Sequence, residues 1–272
     1  MENNLKVYKS DKFDVEDTTS LSLFLYPHSL AIFAKDKNQA NIGIHYYTKF
    51  EWNEIESLLV SDPLLRMDLP AKIYLHQLEF SLVPGVLYAP GKEETYLSFV
   101  GEQKKDNFYF ATPLDSNNIQ MVSYLSSKTK KALEARFSEI SFYHGGTSFL
   151  SYLFKERFNL IGQEILVCIL DNYIYLVAFT DQELSVFNIF EIKDKEDILK
   201  YVSIVIAQMN YDKNHVRISL FGATEHFEVT NEWGKEYFHH FRIMKPHSNQ
   251  NYSHGFKHLK SGGLFESSWQ FD

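Results

Sequence analysis

Cysteine is nearly absent: Cys168 is the only one in 272 residues, so no intrachain disulfide forms and no thiolate cluster is available to a metal. Positive charge is also scarce. Lys and Arg number 27 against 35 Asp and Glu, a net charge of −8, and no basic stripe of the kind that tracks phosphates is visible. No nucleic acid is therefore expected as a partner. Long apolar runs are missing too. The most apolar stretch, Ile165–Ile192, is broken by Asp171-Asn172 and by Asp181-Gln182-Glu183, so it falls short of the ~18 residues a membrane span needs. The opening MENNLKVYKSDKFDVED is polar and has no apolar segment of a secretion signal. There is no Gly-x-Ser-x-Gly elbow, and Cys168 lies between Val167 and Ile169, where a buried, inert thiol is expected. These absences predict a cytoplasmic protein without a nucleophile.

What is present is aromatic. Phe and Tyr number 23 and 17, and aromatics make up 16% of the chain, so much of the buried area is expected to be aromatic. The length suits one large domain or two modest ones. Residues 1–17 read as a loosely docked arm. Leu21–Leu25, Leu30–Ala34 and Ala40–Tyr47 read as three strands, joined by the turn Tyr26-Pro27-His28-Ser29 and a second polar turn. A short helix, EWNEIESLL, stops at Asp62-Pro63. Ala71–His76 is the next strand, followed by a middle section to Leu114 with three of the seven prolines, which reads as an inserted α+β lobe at about 80–114. Asn118–Phe137 has helical spacing through Ile119, Val122, Leu125 and Leu133, Ile140–Tyr143 is a strand, and Thr147–Phe158 a helix.

The pattern then repeats. Ile165–Leu170, Tyr173–Phe179 and Leu184–Ile192 predict three strands joined by tight turns, then a helix over Asp194–Asn210 with Asp194 as N-cap. Val216–Phe221 is a strand opening onto Gly222-Ala223-Thr224, a short helix lies near Glu228–Phe238, and His240–Met244 is a last strand. Placing Pro27 over Asp171 gives an offset of 144 residues between two halves that share architecture rather than identity.

This duplicated βββαβαβα plan resembles the actin-like ATPase superfamily, of ribonuclease H-like lobes, which includes hexokinases, heat-shock 70 chaperones and bacterial cell-division and pilus-assembly relatives. More narrowly, Leu21–Phe33, Phe80–Tyr88 (FSLVPGVLY) and His144–Leu150 (HGGTSFL) resemble an uncharacterised bacterial family assigned that fold. The likeness spans about residues 18–245, with a first lobe at 18–160, a second at 161–245 and a tail at 246–272. It implies an α/β fold of two similar lobes and supplies no activity.

The resemblance also implies a nucleotide site with two phosphate-facing hairpins, each bearing a carboxylate for the magnesium shell and a glycine that lets backbone N–H groups approach oxygen. The first hairpin, Tyr26-Pro27-His28-Ser29, has neither, and Pro27 lacks a backbone donor. In the second, Asp171 stands at the matching place, but Asn172-Tyr173 replaces the glycine, and Tyr173 is expected to crowd a phosphate. The strand into a Gly-Gly turn beneath the adenosine survives as Leu220–Thr224, with Gly222 and Thr224. Asp171, Asn172, Gly222 and Thr224 are thus the candidate nucleotide residues, with ATP and magnesium as the ligand if one binds. Buried, unpaired charge costs several kcal/mol, so the missing groups point away from hydrolysis, toward a non-catalytic interaction protein with no cofactor. Asp171 then serves its own turn. The alternative is an ATP-binding protein of the pilus-assembly or cell-division type.

Three further features have ordinary readings beside functional ones. His144-Gly145-Gly146-Thr147 offers N–H groups to an anion, or makes a plain strand-to-helix turn capped by Thr147 or Ser148. His254 and His258 have the spacing of a metal pair only on a helix, which Ser253, Gly255 and Gly262-Gly263 oppose. The tail, ending in Phe265, Trp269 and Phe271, is expected to dock on the body or on a partner. A protein partner of the middle lobe would use an aromatic patch including Tyr88, Tyr96, Phe108 and Tyr109.

Overall fold

The computed structural model describes residues 4–102, 106–256 and 264–271. It divides into two compact units, the first formed by the described residues up to Thr147 with 250–256, the second by Ser148–Asn249 with 264–271.

In chain order the first unit contains β1 (Leu5–Lys9), β2 (Ser20–Leu25), β3 (Leu30–Lys35), β4 (Ala40–Tyr47), α1 (Ile55–Ser61) and β5 (Ala71–Leu75). The inserted β6 (Ser81–Pro84), α2 (Glu93–Leu97), β7 (Asn107–Leu114), β8 (Ile119–Ser126) and α3 (Ser127–Glu134) follow, then β9 (Ile140–His144) and the start of α4 (Gly146–Glu156). The main sheet runs β1-β4-β3-β2-β5-β9. β4, β3 and β2 pair antiparallel, whereas β2, β5 and β9 are parallel. The second unit has β10 (Gln163–Ile169), β11 (Tyr173–Thr180), β12 (Glu183–Glu191), α5 (Lys195–Gln208), β13 (Arg217–Gly222), α6 (Asn231–Tyr237) and β14 (His240–Ile243). Its sheet, β12-β11-β10-β13-β14, repeats the order and directions of the β4-to-β9 core.

The duplication reaches individual residues. The hairpin bond from Tyr26 N–H to Ser29 C=O, 2.9 Å, recurs from Leu170 N–H to Tyr173 C=O, also 2.9 Å. A register shift after Ala34 recurs after Ala178, so the 144-residue offset carries turn onto turn and bulge onto bulge. A bulge inserts an unpaired residue and strengthens local twist, which makes its repetition a stronger mark of common architecture than strand length.

β2, β3, β10 and β11 are buried on both faces, which is why they read as near-continuous apolar runs. One face of each sheet is mainly aliphatic. Leu21, Leu23, Leu25, Leu30 and Ile32 pack on Ile55, Leu58 and Leu59 of α1, and Ile165, Val167, Ile169, Ile174 and Leu176 pack with Ile198, Val202, Val205 and Ile206 of α5. α5 begins as expected, the Asp194 carboxylate accepting the Asp197 N–H at 3.1 Å. The other face is aromatic: Phe24 stacks on Tyr74 at 4.4 Å in the first unit, and Phe149 meets Phe221 at 5.7 Å in the second.

Two segments differ from expectation. Leu5–Lys9 is not an arm but an edge strand, pairing antiparallel with Leu5 opposite Tyr47. Ile119–Ser126 is a strand, not a helix, and α3 begins only at Ser127. β8 is the middle strand of the sheet β6-β8-β7, and burial of both faces gave it apolar residues three apart that mimic a helix. The inserted lobe therefore extends past 114. The tail docks on the body. Its β15 (Asn251–Tyr252) joins β4 in parallel, and Trp269 packs against Tyr152 at 5.3 Å while its Nε1–H donates to Ser151 Oγ at 3.1 Å.

Candidate functional site: two hairpins at the carboxyl ends of the sheets

Open α/β sheets bind ligands beyond the carboxyl ends of their parallel strands. In the first unit this end is formed by the β2–β3 hairpin, the residues after β5 and the β9–α4 turn. Tyr26 is buried, and its ring lies 4.2 Å from that of His76, nearly parallel. The turn is anchored on both sides, Trp52 Nε1–H donating to Tyr26 C=O at 2.8 Å and Phe50 N–H to His28 C=O at 2.8 Å. His76, which the sequence did not single out, is fully buried, and a Cβ on Gly145 would meet its ring at 2.3 Å. The absence of a side chain at Gly145 is what admits the imidazole.

The β9–α4 turn uses its own donors. Gly145 N–H donates to Leu75 C=O at 2.9 Å, and Gly146 N–H to His144 Nδ1 at 3.1 Å. His144 Nε2 lies 2.9 Å from Gln77 C=O, so the neutral tautomer with its proton on Nε2 satisfies both contacts. The expected cap by Thr147 or Ser148 is not formed. Thr147 Oγ1 instead donates to His144 C=O at 2.7 Å, and the His144 imidazole takes the capping role. Burial drives the His144 pKa down to about 4, the Gln77 carbonyl opposing only in part. Burial, with the charge of His144, holds His76 well below the usual histidine range. Both rings are neutral near pH 7.

In the second unit the parallel pairing of β10 with β13 sets Ile169 opposite Gly222, so the four residues expected at a nucleotide site come to one end of the sheet. Gly222 has φ +85°, and a Cβ there would meet the Ile169 carbonyl oxygen at 2.0 Å. Glycine is required by both conformation and space. Ala223 N–H donates to Ile169 C=O at 3.1 Å, and buried Thr224 accepts Val229 N–H on its carbonyl at 3.0 Å. Asn172 C=O accepts Ile192 N–H at 2.8 Å, while its side-chain Oδ1 is shut off from solvent without a partner among the described residues. Asp171 is partly exposed, and its carboxylate makes no hydrogen bond to its own turn. Tyr173 is buried, and burial together with the Glu191 and Asp171 charges raises its phenol pKa.

Other titratable groups are structural. Asp62 is buried and accepts from His45 Nδ1 and from Tyr47 OH, each at 2.6 Å, and from Leu64 N–H at 2.8 Å. Burial works against its charge, yet these hydrogen bonds hold the carboxyl below its ordinary pKa. His254 lies 3.3 Å from Asp11, and His258 falls outside the described residues. Among the described residues no group of three or more His, Cys, Asp or Glu is arranged to hold a metal.

These duplicated sheets have the actin-like ATPase fold. A Bacteroides thetaiotaomicron protein of that fold and of unknown function superposes with a TM-score of 0.76 at 15% identity, covering 93% of this chain and 98% of the other. A chain of the PilM–PilN type IV pilus biogenesis complex superposes at 0.50 with 11% identity, over 85% of this chain and 89% of the other. Residues 11–241 match the protein family of unknown function DUF3822, and the chain belongs to that family. No curated protein matches the sequence. No helix among the described residues is long and apolar enough to cross a membrane.

Proposed function

We propose that this chain is a non-catalytic binding protein on the actin-like scaffold, with a degenerate nucleotide site and a protein as its partner. The observation that carries the reading is the closed hairpin of the first unit. Where a phosphate-facing loop needs a carboxylate, a glycine and free N–H groups, this one has Pro27 and a Tyr26 ring stacked on His76, which in turn fills the space over Gly145. The Gly145 and Gly146 donors are already engaged. A desolvated triphosphate left without compensating donors costs several kcal/mol. The fold shared with a chain of the PilM–PilN complex makes a protein partner the natural alternative ligand. A cytoplasmic location belongs to the same proposal and suits the single, buried Cys168.

Isothermal titration with ATP and magnesium tests the reading. No saturable heat is expected up to ~1 mM ligand, the range of weak binding at about −4 kcal/mol. Saturable binding near ~10 μM that Asp171→Ala abolishes would reverse it. One observation favours that second reading, an ATP-binding protein of the pilus-assembly or cell-division type: the Asp171 carboxylate is unengaged by its own turn and stands beside the unpartnered Asn172 Oδ1.

A further inference from the structure

We propose that the inserted lobe presents a docking face for a basic amphipathic segment of a partner protein, an inference that rests on the binding role above and specifies its surface. Eleven large apolar side chains are exposed among the described residues, and five of them, Leu78, Val86, Leu87, Phe99 and Val100, fall between residues 78 and 100. A scatter of single exposed residues over the whole chain would place about one there, so the concentration calls for an occupant. Val86, Phe99 and Leu87 are 95%, 83% and 67% exposed, which leaves them no part in the lobe's own interior. That interior is Val83, Leu97 and Val122, with Tyr88, Tyr96, Tyr109 and Tyr124 against it. The tyrosines of the aromatic patch expected from the sequence are thus partly buried against this interior, and Phe108 packs on Phe142 at 5.8 Å.

Local contacts bring the Val86–Leu87 loop and the Phe99–Val100 turn together. The Tyr96 hydroxyl donates to Leu87 C=O and accepts Ala89 N–H, both at 2.8 Å, tying the Val86–Leu87 loop to α2. The helical turn continues to Gly101, whose N–H donates to Leu97 C=O at 3.2 Å, and so carries Phe99 and Val100 one turn beyond Tyr96. A Cβ on Gly101 would meet the Glu79 carboxyl at 3.1 Å, which sets that charge beside the end of this turn.

Charge selects the occupant. Between residues 78 and 102 the rim carries Glu79, Glu93, Glu94 and Glu102 against Lys92 alone. A second copy of this chain would set acidic rim against acidic rim, and an anionic lipid surface would be repelled likewise. A segment with Leu, Ile or Phe on one face and Lys or Arg beside it satisfies both the apolar face and the rim.

Fluorescence anisotropy with a short labelled Leu/Lys amphipathic peptide tests this on the full chain. Binding in the ~10 μM range is expected, weakened at least tenfold in the double variant Leu87→Ser with Phe99→Ser. Glu94→Lys with Glu102→Lys should weaken it and flatten its salt dependence, and a Leu/Glu peptide of the same pattern should not bind. Both variants alter exposed side chains, so an unchanged melting curve checks that folding is intact. Equal affinity of the Ser variant and wild type overturns the proposal, as does equal binding of the Leu/Glu peptide. A dimer in sedimentation equilibrium that the Ser variant loses would also overturn it, in favour of a second copy. Binding to phosphatidylcholine–phosphatidylglycerol vesicles that the Ser variant loses would do the same in favour of a membrane. Failure of the peptide leaves the non-catalytic reading to the ATP titration, and tight ATP binding sinks that reading whatever the peptide does.

Discussion

The two hairpins occupy equivalent places in a repeated sheet and have reached opposite states. In the first unit the residue after β5 is His76, a ring that stacks on Tyr26 and closes over Gly145. In the second, the equivalent place after β13 is Ala223, preceded by Gly222 in a left-handed conformation directly against the Ile169 carbonyl. The hairpin tip there keeps a carboxylate with no local hydrogen bond and an amide oxygen with no partner among the described residues. The same hydrogen-bonded frame therefore supports either a side-chain plug or a bare turn. Strand pairing fixes where the loop is, and the few residues at its tip decide whether anything else fits.

That contrast is open to breakage. The largest effect is expected at Gly222→Ala, which adds a methyl against backbone and forces φ +85° on an L-residue. A loss of about 4 kcal/mol in urea unfolding is expected. Gly145→Ala meets a buried ring rather than backbone and keeps an ordinary φ, so a smaller loss of about 2 kcal/mol is expected, with part restored by His76→Ala in a double-mutant cycle. Equal costs at the two glycines would erase the distinction between plug and bare turn.

Acid should act on the plugged end alone. For a histidine whose folded pKa is depressed, the unfolded chain binds the extra proton, so stability is full above the unfolded value of ~6.5 and falls as pH drops toward the folded one. With His144 near 4 in the folded protein, that group contributes a loss of about 3 kcal/mol by pH 4 at about 1.4 kcal/mol per unit. His76 adds in the same direction. Chemical denaturation from pH 7 to 4 should show this slope, and His76→Phe with His144→Gln should flatten it. Tyr26→Leu, which installs the type of residue found at Leu170, should cost about 1 kcal/mol through the lost stack. Asp171→Ala should change stability by less than about 0.5 kcal/mol, since its carboxylate supports no local bond. A clear destabilisation would return Asp171 to the role of an ordinary turn residue.

Much of this was legible residue by residue. Pro27 and Asp171 could be set over one another because turns between buried strands carry few apolar residues, and the register shifts after Ala34 and Ala178, which only the structure revealed, obey the same offset. Asp194 showed itself as a cap because capping is local. Ile119–Ser126 misled, since a strand buried on both faces loses the alternation that would name it. Asp62 looked like a helix stop before Pro63, and nothing nearby announced the His45 and Tyr47 bonds that hold it. His76 gave no signal at all. Its neighbours Tyr26 and Gly145 lie 50 and 69 residues away in the chain.

Periodicity, turn chemistry and the near-absence of cysteine and basic stripes determined a duplicated α/β chain and which loop groups it lacks, because these depend on residues close in sequence. Which ring fills which loop, which face of the inserted lobe stays bare and which carboxylate goes unbonded were decided only by the tertiary structure. Those outcomes depend on groups that share no local pattern and meet only when the strands are paired.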